Sequence, residues 1–292
     1  MSAPALVAIT IRMSIVLTVL SIGLSATPAH AFSVLRSPMR LLQSMWAMMV
    51  VVPLCAAIVA SSFELEPEVK FALAALSVSP VPPFWPAKSR RAGGDESYTV
   101  GLLVASSLFS IVTIPLVLET FGMLFSIKIA IPMAKIATLI VTTIILPLVV
   151  GMSIRAVASV VAYRSARAVG LAGTALLGLS VVPILFHGWD LMSSLVSDGT
   201  MLTMAAFTIV GLMAGLVFGG PTDGERTVLA LACTTRHPAI ALAIAQANFP
   251  SSKLVPAAIL LYILVSAAVS APYLRWTRRH SRPQPKRLAL LR

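Results

Sequence analysis

Thr234, Thr235, Arg236, His237 and Pro238 interrupt an otherwise apolar stretch, and their side chains suit anion recognition. An arginine at the centre of a membrane helix costs about 2.5–3.5 kcal/mol on insertion scales, so its presence asks for a reason. Two reasons compete: a fixed charge for a ligand, or a counter-charge against the carbonyls at a helix C-terminus. His237 is equally open, as a pH-sensitive ligand or a helix-breaking polar residue beside a proline. A second interruption, Ser79-Pro80-Val81-Pro82-Pro83, carries no charge but three prolines that cannot donate a backbone N–H. Catalytic patterns are missing. No HExxH or GxSxG occurs, only His30, His187, His237 and His280 are available, and no acid pair falls inside an apolar run. Asp95 and Glu96 follow Gly93-Gly94 and read as helix-capping acids. Cys55 and Cys233 lie in apolar stretches, which leaves no disulfide framework and no CxxC metal site. The chain is not read as an enzyme.

The elements that hold these residues are membrane spans. Of 292 residues 58% are hydrophobic and 11% charged, where a soluble domain has roughly 25% charged, and the mean hydropathy is +0.95. Runs of about 20 apolar residues predict nine spans, at 11–27, 41–62, 69–94, 97–121, 131–154, 168–188, 200–220, 227–249 and 254–273. The third and eighth contain the two interruptions and are expected to be discontinuous helices. A backbone break in lipid strands N–H and C=O groups unless it lines a cavity or is packed in protein. Two breaks at related places in the two halves predict inverted repeats with a binding site where the broken helices cross. The fold class is thus an all-α integral membrane protein. Residues 1–273 form one polytopic domain and 274–292 a basic tail. The first span has a second reading, since Arg12, the apolar run to Leu24 and Pro28-Ala29-His30-Ala31 also describe a signal peptide with an A-x-A cleavage site.

Orientation follows from the basic residues. Arg36, Arg40, Lys88, Arg90, Arg91, Arg155, Arg164, Arg167, Arg226 and the tail from Arg275 to Arg292 fall on one side of a nine-span chain, against Arg12, Lys70, Lys128, Lys135 and Lys253 on the other. The N-terminus is therefore expected outside and the C-terminus in the cytoplasm, in a bacterial inner membrane. The net charge of +12 reads as loop charge and a lipid-headgroup tail, with no nucleic-acid partner.

Glu66-Pro67-Glu68-Val69 running into Leu73-Ala74-Ala75-Leu76-Ser77-Val78-Ser79-Pro80, then Gly94-Asp95-Glu96-Ser97-Tyr98-Thr99 and a long apolar helix to Ile114-Pro115-Leu116, resembles the bile acid:sodium symporter family. So does Pro238-Ala239-Ile240-Ala241-Leu242-Ala243-Ile244-Ala245, and the likeness runs over about residues 15–273. It implies two five-helix inverted repeats, split into panel and core domains, with nine spans where the first helix is missing and two unwound, crossed helices. It implies a secondary transporter of organic anions such as bile acids, steroid sulfates, pantoate or keto acids, usually carried with sodium. It also implies that Gly23-Leu24-Ser25 and Pro28 end a retained helix.

The sodium-binding positions depart from that pattern. The family's Gly-Gly and Ser-Asn pairs fall at Val81-Pro82 and Trp85-Pro86, its glutamate at Ala232, its glutamine at Arg236, the following asparagine at His237 and a threonine ligand at Leu103, with one serine matched by Thr99. Sodium needs several oxygen ligands and a guanidinium supplies none, so no sodium site, other metal or cofactor is expected. The substrate-binding residues expected are Ser79, Pro80, Pro82, Pro83, Thr99, Thr234, Thr235, Arg236, His237 and Pro238, around a small organic anion held by a fixed rather than a bound cation. A membrane sensor or binding protein that no longer transports is the alternative, because Pro82, Pro83 and Pro86 stiffen the crossing. Trp85 is read either as a stacking surface in the cavity or as an interfacial anchor, and Met45, Met48 and Met49 as packing. Oligomeric state is not legible.

Overall fold

The computed structural model describes residues 3–126, 129, 133–197 and 199–280, and all the regular structure among them is helical. In chain order the helices are α1 (Ala3–Ser25), the single turn α2 (Pro28–Ala31), α3 (Pro38–Trp46) and α4 (Val52–Ser62), α5 (Pro67–Val78), α6 (Trp85–Arg91) and α7 (Glu96–Phe125). They continue as α8 (Met133–Ile140), α9 (Leu146–Val157), α10 (Ser159–Ser197), α11 (Thr200–Phe218), α12 (Asp223–Thr234), α13 (Pro238–Asn248) and α14 (Leu254–His280). Six stretches among the described residues are long and apolar enough to cross a bilayer: Pro38–Ser62, Glu96–Phe125, Ile136–Val157, Thr200–Phe218, Asp223–Ala245 and Leu254–Arg279, with Ile9–Ser25 a shorter apolar helix. The protein is an integral membrane protein.

Local chemistry sets the ends. Asp95 caps α7 by accepting from the Tyr98 N–H at 2.7 Å, as expected for an acid after two glycines. Thr222 and Glu225 form a reciprocal capping box at the start of α12, and Glu225 pairs with Arg40 of α3 at 3.3 Å. Arg155 of α9 donates to the Leu24 and Ser25 carbonyls and so closes the C-terminus of α1. The A-x-A stretch forms the turn α2, with Ala31 buried. Beyond Leu274, where the tail was expected to begin, α14 runs on through Arg275, Arg278 and Arg279 to His280. The rest of the tail lies outside the described residues. Span lengths differ as well: α10 has 39 residues where about 20 were expected.

Two segments turn with π-helical hydrogen bonding, Ala47–Val51 between α3 and α4 and Val141–Ile145 between α8 and α9. Each sits just before a proline, Pro53 and Pro147, whose ring excludes the carbonyl four residues back and opens the coil by one residue.

The helices pack in two groups. One consists of α1 against α10 and α9. Hydroxyls of α1 donate to α10 carbonyls, Ser14 to Gly173 at 2.8 Å and Ser21 to Ala166 at 2.7 Å, as expected where lipid provides no hydrophobic drive between helices. Gly23 and Gly151 meet where α1 crosses α9, so closely that a Cβ on Gly23 would stand 2.9 Å from the Gly151 Cα. The other group surrounds α5 and α12, each buried on nine of twelve residues and therefore enclosed all round. Around them α11 packs on α12 and α14, and α13 on α5 and α14.

Gly23→Leu should accordingly destabilise the protein by about 1–3 kcal/mol through overpacking. Gly178→Leu, at a position with no atoms within 4 Å of the new Cβ, should leave the melting temperature in detergent unchanged.

Candidate functional site

The two breaks meet. Residues 79–84 leave the helical path between α5 and α6, and Thr235–His237 do so between α12 and α13. The His237 N–H donates across the crossing to the Pro80 carbonyl at 2.9 Å. Arg236 Nη1 donates to the Ser79 carbonyl at 3.2 Å, and Tyr262 Oη of α14 donates to the Thr234 carbonyl at 2.7 Å. The groups stranded by one break are thus met by the other break and by α14.

Arg236 makes one further bond, from Nη2 to the Met48 carbonyl at 3.1 Å. The reason lies in the π turn before α4. The Val52 N–H bonds back five residues to the Ala47 carbonyl, so the next donor in that register, for Met48, would be residue 53. That residue is a proline with no N–H, and the Met48 carbonyl takes the guanidinium instead. Arg236 is 1% exposed and pairs with carbonyl dipoles, not with an acid. This geometry is that of a structural counter-charge, and among the described residues the ion pairs, Arg40–Glu225 and Arg90–Glu96, lie elsewhere.

Beside the crossing a cavity of about 230 Å³ separates the two helix groups. Its wall is apolar except for Arg12, Ser14 and Thr18 of α1, Thr143 of the second π turn, and His237. Ser14, Thr18 and Thr143 already donate to backbone carbonyls. His237 is 2% exposed, and both ring nitrogens lack a partner among the described residues. It caps α13, which begins with Pro238 and Ala239 at the cavity wall and has no side-chain cap.

Of the expected site residues, Pro83, His237 and Pro238 line this cavity. Ser79, Pro80, Thr234, Thr235 and Arg236 build the crossing behind it, and Pro82 is buried in the first break, where its carbonyl accepts from the Trp85 N–H. The Ser79 and Thr234 hydroxyls turn back onto their own helices. Thr99 stands apart: it donates to the Asp95 carbonyl and accepts from Ser89 of α6, beside a small cleft of about 50 Å³. Trp85 faces neither cavity nor interface but is fully buried in the core.

One residue escaped the reading of the sequence. Lys88, grouped there with Arg90 and Arg91 as loop charge, extends from α6 to Thr235 Oγ1 at 3.3 Å and to Ser270 Oγ of α14 at 3.4 Å. The crossing therefore exchanges cations in both directions. Arg236 of the second broken helix reaches the first, and Lys88 of the first reaches the second.

The sequence profile described as the sodium bile acid symporter family matches residues 12–195. The chain belongs to that family. Its members are sodium-coupled or related membrane transporters of organic anions. The matched region takes in the first break, α7 and the cavity-lining part of α1, and it ends before the second break with Arg236 and His237. A search of the curated proteins finds no match.

Replacing Arg236 by Met leaves two buried carbonyls without donors, and the protein should lose about 3 kcal/mol of stability in detergent. A loss under about 1 kcal/mol would mean that the guanidinium does not hold the crossing together.

Proposed function

We propose that this chain is a secondary carrier that moves a small organic anion across the membrane by alternating access, without sodium. The observation that carries the reading is Arg236, a fixed cation donating to the Ser79 and Met48 carbonyls where the family pattern has a sodium ligand. A bound sodium ion at a break of this kind would be held by oxygens, and here a guanidinium already saturates two of them. The glutamate that would complete a sodium site is Ala232, fully buried and without polar atoms in its side chain.

In this reading the chain crosses the bilayer nine times. The broken pair α5–α6 and the long helix α10 join the apolar helices, and the N-terminus lies outside and the C-terminus in the cytoplasm of a bacterial inner membrane. Residues 1–273 are one transporter domain of two inverted repeats. The group α1, α8, α9 and α10 is the panel, and the group around α5 and α12 is the core. Alternating access is movement of one against the other, with the cavity between them.

The anion's charged end sits at the N-terminus of α13 beside His237, whose ring nitrogens have no partner among the described residues. Its body lies against the apolar wall, and Arg12 adds to the attraction. The volume of about 230 Å³ falls below the roughly 300–1,000 Å³ of pockets for drug-sized ligands. That favours an anion of keto-acid or pantoate size over a steroid. Binding without transport is the competing reading, and Pro82 and Pro83 in the first break, with Pro86 just after it, are what favours it.

Thermal unfolding in sodium and in potassium buffer, with a panel of organic anions, tests the proposal. A ligand present at roughly 100 times its Kd stabilises the folded protein by about 2.7 kcal/mol. A keto acid or pantoate should raise the melting temperature equally in both buffers, and His237→Phe, at the cavity wall, should abolish the shift. Stabilisation only in sodium, or an unchanged shift in His237→Phe, would contradict it.

A further inference from the structure

Arg236 and Lys88 place two side-chain cations at one crossing, and among the described residues no carboxylate answers either. Arg236 has partial compensation, because its guanidinium faces the negative ends of two carbonyl dipoles. Lys88 has less: its ammonium meets the hydroxyls of Thr235 and Ser270, both at long distance, and the Ser270 hydroxyl is itself turned toward the Ser266 carbonyl. The charged groups on the neighbouring elements do not help. Glu225 of α12 is engaged with Arg40 and the Thr222 cap, Asp223 is exposed at the first turn of α12, Glu96 of α7 is engaged with Arg90, and the Asp95 carboxylate with the Tyr98 amide. Among the described residues the cavity beside the crossing is lined by one more cation, Arg12, and by no acid.

An unloaded site of this composition carries net positive charge inside the bilayer. Moving such a charge through the low-dielectric middle of the membrane is unfavourable, and a bound anion cancels part of it. A carrier whose cations are side chains keeps those groups on the chain through the whole cycle, whereas a carrier with bound ions releases them on one side. We propose, on the basis of the transport reading above, that the protein is an obligate anion exchanger: Arg236 and Lys88 hold the empty carrier on one side, and only the anion-loaded carrier changes access. Lys88, as the less compensated charge, sets most of the difference between the loaded and the empty protein.

The experiment uses the purified full chain in liposomes with the membrane potential clamped at zero by potassium and valinomycin. Radiolabelled pyruvate, pantoate and taurocholate are the probes, each tested against empty vesicles and against vesicles preloaded with the same unlabelled anion. Uptake into preloaded vesicles should exceed uptake into empty ones by about a hundredfold, the factor that one uncompensated charge in the bilayer imposes on the empty carrier. Lys88→Gln, which keeps a donor for Thr235 and Ser270 but removes the charge, should narrow that ratio to about tenfold or less. Equal uptake into empty and preloaded vesicles overturns the exchange inference while leaving transport intact. An unchanged ratio in Lys88→Gln overturns the part given to Lys88. Movement of no probe in either arm overturns the transport reading and the exchange inference together.

Discussion

A helix that stops in the middle of a bilayer leaves carbonyls and amides that water cannot reach, and the whole of this crossing follows from how those groups are met. The Ser79 and Met48 carbonyls take the two ends of one guanidinium, the Pro80 carbonyl takes the His237 amide, and the Thr234 carbonyl takes Tyr262. Each donor comes from a different segment from its acceptor. The breaks are therefore stable only together, since removing either one strands the groups of the other. That dependence places the N-terminus of α13 at the cavity wall and sets His237 there with both ring nitrogens unpaired among the described residues.

Using an arginine as the donor has an electrostatic consequence. The charge that closes the backbone is permanent, belongs to the chain and cannot leave with a substrate. The resemblance in sequence implies a ligand for sodium at the corresponding place, an ion that binds and departs. In the proposed function the same structural need for positive charge is filled covalently, by Arg236 with Lys88 opposite it. The cost is an empty site that stays charged, and the benefit is a folded crossing that does not wait for an ion.

Much of this was legible in the sequence, for reasons that differ from element to element. Pro80, Pro82 and Pro83, and the Thr-Thr-Arg-His-Pro run, do not favour an unbroken helix, so both breaks were visible, as was the capping role of Asp95. The partner of Arg236 was not, because the vacancy at the Met48 carbonyl depends on a shift to π-helical register ahead of Pro53, and register is a property of the folded coil. Trp85 misled in either reading, since an aromatic between prolines says nothing about which way its short helix faces. Lys88 was hidden by its neighbours: Arg90 and Arg91 follow it closely, and only the folded contacts of Lys88 with Thr235 and Ser270 separate a lysine in the crossing from two arginines at the surface. Thr99 carries the family's oxygen ligand in sequence, yet the turn of α7 commits it to the Asp95 carbonyl and to Ser89.

Equilibrium binding of radiolabelled sodium, to the wild-type protein and to an Ala232→Glu, Arg236→Gln double variant in the same detergent, tests most directly whether a tethered cation stands where an ion would. The wild type should show no saturable sodium binding, and the double variant, which restores a carboxylate and an amide oxygen at the crossing, should acquire it. Saturable sodium binding by the wild-type protein would contradict the tethered-cation mechanism.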